Sequence, residues 1–382
     1  MFESLNKRIN ELQPDIIRPE DRAQLPPDGY VPVLSDIVLP SILMALILFV
    51  LRHLFDRFIV LPFGAYFGLK ENTSGVQINK KPLLEAEYRK CKSPNHDVIM
   101  GLSKKLSMTE KQVQIWFRKR RTNDKASELK RLSDASWSFI FYALMSWYGL
   151  HVLWDKPWFT KSINCWIDWP VQTVSNDIYW YYLIELGFYI SYLYMLFTDH
   201  KRKDFLEFLI HHSVTVALMI LSWSYNVVRI GSIVLAIHDQ VDYILALAKT
   251  GIYIKKHRFA DICFVIFIIT WIITRLLIYP YVVLYSVYIE LPAYADDTRP
   301  RLHSFDKSLV GQLLKLLLVV LQILHIIWTI LIIKSAAIKL TRGQLDDARS
   351  DTEDDNIEDD EMIEENGTET ISNGKTQNNK MI

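Results

Sequence analysis

The chain contains little cysteine and no cysteine motif. Its three cysteines, Cys91, Cys165 and Cys263, lie far apart in 382 residues and form no CxxC pair. This spacing supports neither a disulfide framework nor a zinc site. Residues 1–36 are polar and lack the apolar core of a cleavable signal peptide. We therefore expect the first hydrophobic block, from Ile37, to be an uncleaved anchor.

The chain also lacks a net charge, although its charges are unevenly distributed. Its 43 basic and 43 acidic residues sum to zero. Residues 69–135 hold 16 Lys/Arg against 8 Asp/Glu, whereas residues 343–382 hold 3 against 13. Half of the residues are hydrophobic, mostly in blocks joined by short basic segments. This pattern excludes a disordered or fibrous protein and indicates a membrane domain with polar flanks.

Seven apolar segments are long enough to cross a bilayer, whose core of about 30 Å needs roughly 20 helical residues. They lie at about 37–60, 136–155, 178–198, 205–225, 228–248, 260–283 and 309–334. The sequence thus predicts an all-α polytopic membrane protein. Arg52, Asp56 and Arg57 interrupt the first segment, and we expect them to extend to the headgroups.

Lysine and arginine collect at alternate joints between these segments. The basic joints are residues 69–135, 200–203, 249–258 and 334–342. Because basic residues favour the cytosolic side, the N-terminus 1–36 is predicted to be lumenal and the tail 341–382 cytosolic.

Two neighbouring segments carry ionisable residues, which are costly in lipid and therefore indicate function. His211 and His212 lie in the fourth segment, and His238, Asp239 and Asp242 lie in the fifth. At about 1.5 Å per residue, His211 and Asp242 are both roughly 9 Å from the cytosolic surface. The short turn between the two segments makes them antiparallel neighbours. We therefore expect these side chains to meet in the cytosolic half of the bilayer.

This set of residues predicts acyl transfer, because an imidazole oriented by a carboxylate acts as a base or nucleophile. Asp239 and Asp242 share one helix face, as do His211 and Thr215. His211 and His212 are about 100° apart, so only one is expected to point fully into the site. Two other interpretations remain: hydrogen bonds that only join the helices, and a metal-dependent lipid oxidase. Metal oxidases need several histidine clusters, and only one adjacent pair occurs among ten histidines.

The same region resembles the signature of ceramide synthases. The resemblance rests on His211-His212-x-x-Thr215, Asn226-x-x-Arg229-x-Gly231 and His238-Asp239-x-x-Asp242, with Thr274-Arg275-Leu276 following. It covers about residues 131–340, the TLC-type membrane domain of that family. It implies an endoplasmic-reticulum enzyme that joins the fatty acyl group of acyl-CoA to a sphingoid base, sphinganine or sphingosine, with no cofactor.

The resemblance also implies roles for individual residues. His211 is the expected reacting residue, as general base or as nucleophile that forms an acyl-imidazole, and His212, His238, Asp239 and Asp242 are expected to assist. The remaining expected substrate contacts are Lys203, Asp204, Thr215, Asn226, Arg229 and Arg275. Independently of the resemblance, the basic residues near the predicted cytosolic surface are candidates to receive CoA phosphates, although the positive-inside distribution alone also explains them. They are Lys201, Arg202, Lys203, Lys255, Lys256 and Arg258. The loop from Tyr288 to Asp306 is linked to acyl-chain preference in that family.

Residues 69–130 resemble a homeodomain, through Leu84 and Tyr88 of a first helix and the run 111–121 of a third. Lys119 stands where a homeodomain reads adenine with asparagine, which argues against sequence-specific DNA binding. A homeobox DNA-binding regulator and a non-catalytic TLC-type lipid-binding protein are the alternatives to an enzyme.

Ser350 and Thr352 in the acidic tail are each followed by an acidic residue three positions later, as in the sites of acidophilic kinases. A homo- or hetero-dimer is compatible with the sequence.

Overall fold

The computed structural model describes residues 29–69, 81–124, 127–198 and 205–342, together with residues 6, 9, 25 and 26. Within these ranges every regular element is helical, which confirms the predicted all-α fold. The predictions for residues 201–204, Ser350 and Thr352, and for most of residues 1–36 and the tail 341–382, lie outside the described residues.

Fourteen α-helices follow one another along the described residues. They are α1 Ser35–Phe55, α2 Leu61–Tyr66, α3 Pro82–Lys90, α4 His96–Leu106, α5 Glu110–Asp124, α6 Glu128–Leu153, α7 Pro157–Thr160, α8 Asn176–Thr198, α9 Phe205–Ser224, α10 Val228–Tyr253, α11 His257–Trp271, α12 Leu291–Tyr294, α13 Pro300–Lys307 and α14 Leu309–Arg342. The π-helical segment Asp56–Val60 joins α1 to α2, and the π-helical segments Ile272–Leu284 and Ser286–Glu290 continue α11 towards α12.

Five of the described helical stretches are long and apolar enough to cross a membrane. They are Ser35–Tyr66, Phe205–Ser224, Val228–Tyr253, His257–Tyr294 and Leu309–Lys339. The helices α6 and α8 occupy the other two predicted segments, with 26 and 23 residues, but they are not among these five. A multi-pass membrane protein is therefore supported, while the count of seven crossings stays a prediction.

Helix α10 is the centre of the membrane domain. It packs against α6, α11, α9 and the segment Ile272–Leu284. Of its most apolar stretch, 61% is buried inside the protein, compared with 28–33% for the other four candidate spans. Side chains on α10 are thus surrounded by other helices, whereas those four spans expose most of their apolar surface.

Arg52 does not extend to the headgroups as the sequence predicted. It is 4% exposed and donates hydrogen bonds to Asp134 Oδ1 at 2.5 Å and to Met195 Sδ at 2.8 Å. Asp56 accepts a hydrogen bond from Ser133. Burying the guanidinium against a carboxylate compensates its desolvation, which sequence reasoning missed because Asp134 lies beyond the insert. These contacts attach α1 to α6 and α8.

Helices α3, α4 and α5 form a small separate core. Its buried side chains are Leu84, Tyr88, Ile99, Leu102, Val113, Trp116 and Phe117. Thr109 and Gln112 cap the start of α5 reciprocally, each side chain accepting the other's backbone N–H. Leu84 and Tyr88 lie in this core as predicted, and α5 contains the predicted third helix.

Candidate active site

Arg275 fixes the part of α10 that carries the predicted site residues. It is 2% exposed and donates to the backbone carbonyls of Ile237 at 2.6 Å and His238 at 2.8 Å. Its Nη2 also lies 3.7 Å from Oδ1 of Asp242. Because two carbonyls and a carboxylate surround one guanidinium, Arg275 is a positioning group for α10.

His238 pairs with a second histidine, His325 on α14, which sequence reasoning missed. His238 Nδ1 lies 2.6 Å from the carbonyl of Val234, and its Nε2 lies 3.1 Å from Nε2 of His325. A carbonyl only accepts, so a neutral His238 carries its proton on Nδ1. Its Nε2 must then accept the N–H of His325. The lone pair of His238 is therefore already engaged.

A row of α8 side chains faces the two aspartates. Tyr181, Glu185 and Tyr189 are spaced by four residues and share one helix face. Tyr181 donates to Oδ2 of Asp239 at 2.6 Å. Glu185 and Asp239 are both completely buried. This carboxyl cluster, Glu185, Asp239 and Asp242, is oriented by tyrosine and arginine.

The histidine pair on α9 lies in an aromatic environment. The His211 ring is 5.1 Å from that of Trp328, and the His212 ring is 5.7 Å from those of Tyr189 and Phe208. His211 has His238 among its electrostatic neighbours, and His212 packs towards α8. Of the pair, His211 is therefore the one that faces the His238–His325 contact.

Tyr189 lies between the histidine pair and the carboxyl cluster. Its ring contacts both histidines, and it interacts electrostatically with Glu185 and Asp239. Asp239 accepts a hydrogen bond from the hydroxyl of Tyr181, whereas the sequence predicted an imidazole as its partner. The structure thus brings the five predicted catalytic residues into one region, but the ring of Tyr189 stands between the histidine pair of α9 and the carboxyls.

An elongated cavity starts at these residues. Its empty space is about 770 Å³ including the open mouth, and apolar side chains form most of its wall. Thr215 and His238 line one end, and Val227, Phe305 and Lys315 line the other. From His238 to Val227 the cavity follows α10 for roughly 16 Å. The apolar wall and the length of the cavity suit a hydrocarbon chain.

Lys315 is the charged group in the wall of this cavity. It is 6% exposed and donates to Oδ1 of Asp306 on α13 at 2.5 Å. Lys315 lies at the end of the cavity away from the histidines. Asp306 belongs to the loop singled out in the sequence.

The remaining predicted substrate contacts occupy different places. Thr215 lines the cavity and donates to the carbonyl of His211 at 2.9 Å. Asn226 donates to the carbonyls of Pro170 and Gln172 at 2.7 and 2.8 Å. Arg229 donates to the carbonyl of Asn164 at 2.8 Å, and its guanidinium stands 4.8 Å from the ring of Trp158. Asn226 and Arg229 are about 14 Å or more from His238 along α10. The structure therefore does not bring these two residues to His238.

At the predicted cytosolic end, Lys255, Lys256 and Arg258 are exposed where α10 is followed by α11. Among the described residues, no group of three His, Cys, Asp or Glu side chains is arranged to hold a metal ion.

Comparisons with known proteins agree with this architecture. A family model described as the TLC domain matches residues 131–334, and a homeodomain model matches residues 76–126. The chain is 37% identical over 342 residues to ceramide synthase 5 of Homo sapiens, covering 88% of this chain and 83% of that protein. It is 36% identical over 346 residues to ceramide synthase 4 of Homo sapiens, covering 87% and 85%. Both resemblances predicted from the sequence are confirmed.

Proposed function

Because the chain belongs to the ceramide synthase family, we propose that it transfers a fatty acyl group from acyl-CoA to the amine of a sphingoid base. The products are (dihydro)ceramide and CoA. The proposed location is the endoplasmic-reticulum membrane, with the N-terminus lumenal and the C-terminus cytosolic. The names of the relatives support ceramide synthesis. The geometry of this chain supports acyl-CoA and a sphingoid base as the substrates.

The observation that carries the proposal is a cavity with histidine at one end and apolar walls along its length. His238 and Thr215 border that end, and His211 faces it from α9. An acyl chain in the cavity would place its thioester beside the imidazoles. CoA itself is polyanionic, and the exposed Lys255, Lys256 and Arg258 supply cations for its phosphates.

His211 is the proposed reacting residue, because the lone pair of His238 is already engaged by His325. In one route His211 takes a proton from the substrate ammonium, and the free amine attacks the thioester carbon. In the other, His211 attacks first and forms an acyl-imidazole with release of CoA. Both routes break the C–S bond and form the amide C–N bond.

Purified full-length protein, incubated with a long-chain acyl-CoA and sphinganine, tests this function. We expect the amide product by mass spectrometry and a loss of about 100-fold or more for His211→Ala. His151→Ala is the matched control, since His151 is exposed and stacks on Trp147. No amide from the wild type, or equal activity in all three proteins, would reject the assignment.

The two routes are separated by CoA release in the absence of the amine. A burst of CoA proportional to enzyme, together with a mass increase of one acyl group on His211, supports the covalent route. Release that begins only after the amine is added supports the general-base route.

A further inference from the structure

Glu185 is a buried acid with no assigned role. It is 0% exposed, and within the described part of the chain neither of its carboxyl oxygens has a hydrogen-bond partner. Oδ1 of Asp239 lacks a donor as well. An unsatisfied ionisable side chain at this depth is costly, which indicates function rather than packing.

The two acids face each other. Glu185 lies one turn after Tyr181, whose hydroxyl donates to Asp239, and the carboxyl groups of Glu185 and Asp239 are close enough to interact. Two carboxylates have only acceptors, so a hydrogen bond between them requires that one carries a proton. A shared proton would satisfy both groups and reduce the repulsion between neighbouring negative charges. The titratable and charged groups that surround the pair are Tyr142 of α6, Tyr181 and Tyr189 of α8, Asp242 of α10 and Arg275.

The proposed reaction needs a place for a proton. A sphingoid amine arrives mostly as an ammonium ion, and each amide formed from it leaves one proton in excess. That proton must leave the nitrogen before its lone pair can attack carbon. Asp242 is 26% exposed and neighbours Asp239, so the cluster extends from a dry interior to a more open edge.

We propose that Glu185 and Asp239 form a proton-sharing carboxyl pair that receives the proton released by the substrate ammonium. At rest the pair holds one proton and one negative charge. In the general-base route the pair receives the first nitrogen proton from His211, and then the C–N bond forms and the C–S bond breaks. The sulfur takes the second nitrogen proton through imidazole, and the pair releases its extra proton by way of Asp242. Glu185 acts through Asp239 and is therefore a positioning residue. This inference rests on the proposed function.

The test compares Glu185→Gln with wild type in full-length protein across pH. Glutamine keeps the shape and supplies a fixed donor, but it cannot share a proton. We expect kcat to fall about 100-fold at neutral pH and to recover at alkaline pH, where the amine is neutral. The KM for acyl-CoA should not change. Glu128→Gln is the matched control, because Glu128 is exposed in the first turn of α6 and lies outside the cluster.

Infrared spectroscopy supplies a readout that does not depend on activity. Wild type should show the C=O stretch of a buried protonated carboxylic acid, and Glu185→Gln should lack it. Tyr181→Phe removes only the donor to Asp239 and should shift that band while the protein stays folded.

Several outcomes would overturn the inference. They are an unchanged pH profile in Glu185→Gln, a uniform loss at every pH, or absence of the band from wild type. If Glu185→Gln does not fold, the infrared C=O band of the wild type and its shift in Tyr181→Phe test whether the pair holds a proton. If wild type forms no amide, the proposed function fails, and the infrared result still decides whether the proton is shared.

Discussion

Nε2 of His238 lies 3.1 Å from Nε2 of His325, and this contact joins the central helix to the last one. Both imidazoles are buried, with exposures of 6% and 1%. The hydrogen bond assigns each ring its tautomer and makes His238 an acceptor. This leaves His211 on α9 as the proposed reacting histidine.

Removing His325 should leave His238 with an unsatisfied buried nitrogen. We expect His325→Leu to lower the free energy of unfolding by about 1–3 kcal/mol. His325→Gln retains an N–H donor of similar reach and should lose less. Thermal unfolding in detergent, with amide formation measured in parallel, gives both quantities. A leucine variant as stable as wild type would show that the contact is not a hydrogen bond.

The sequence predicted the helical class and most of the site because both depend on local pattern. Apolar length gives candidate spans, and spacing within α9 and α10 places His211 beside the region of His238 and Asp239. Glu185 and His325 also lie within predicted segments, and the cost of ionisable groups in lipid could have revealed them. Their partners, however, come from other helices. Which helix faces α10 is decided by tertiary packing, and periodicity along one segment does not contain that information.

Gly231 should not tolerate a side chain, because the Tyr182 side chain of α8 reaches α10 there. A Cβ on Gly231 would overlap the hydroxyl of Tyr182. We expect Gly231→Ala to destabilise the protein by about 1–3 kcal/mol through overpacking. Tyr182→Phe removes the overlapping oxygen, so the double variant should recover part of that loss. Unfolding measurements on both single variants and the double variant test this, and strictly additive losses would contradict it.

The ion pair at the far end of the cavity should depend on both partners. Lys315→Met leaves Asp306 buried without its cation, and we expect a loss of about 3–5 kcal/mol. Replacing both, as Lys315→Met with Asp306→Leu, should restore most of the stability, because no uncompensated charge remains. Thermal unfolding of the two proteins provides the comparison. Equal destabilisation of single and double variants would mean that packing, and not charge, dominates there.

The homeodomain should bind DNA without reading its sequence. Lys119 is exposed on α5, and Arg120 is held by Glu85 at 2.9 Å and by the ring of Tyr88 at 5.0 Å. Contacts of lysine and arginine with phosphates give affinity that falls steeply with salt but carries no base information. Full-length protein in detergent should therefore bind duplexes of different sequence equally at each salt concentration. A duplex bound well above the others would favour the regulator alternative.

The three cysteines should react with a maleimide at very different rates. Cys91 is exposed, whereas Cys165 and Cys263 are 2% and 5% exposed. Burial raises the pKa of the Cys165 thiol, and nearby Glu290 adds to this although Arg229 opposes it. Since the thiolate is the reactive form, Cys165 is both hidden and protonated at neutral pH. Mass spectrometry of the folded protein should show one label per chain, and Cys91→Ser should remove it. After denaturation all three cysteines should react, and labelling of Cys165 at the rate of Cys91 in the folded protein would place it outside the core.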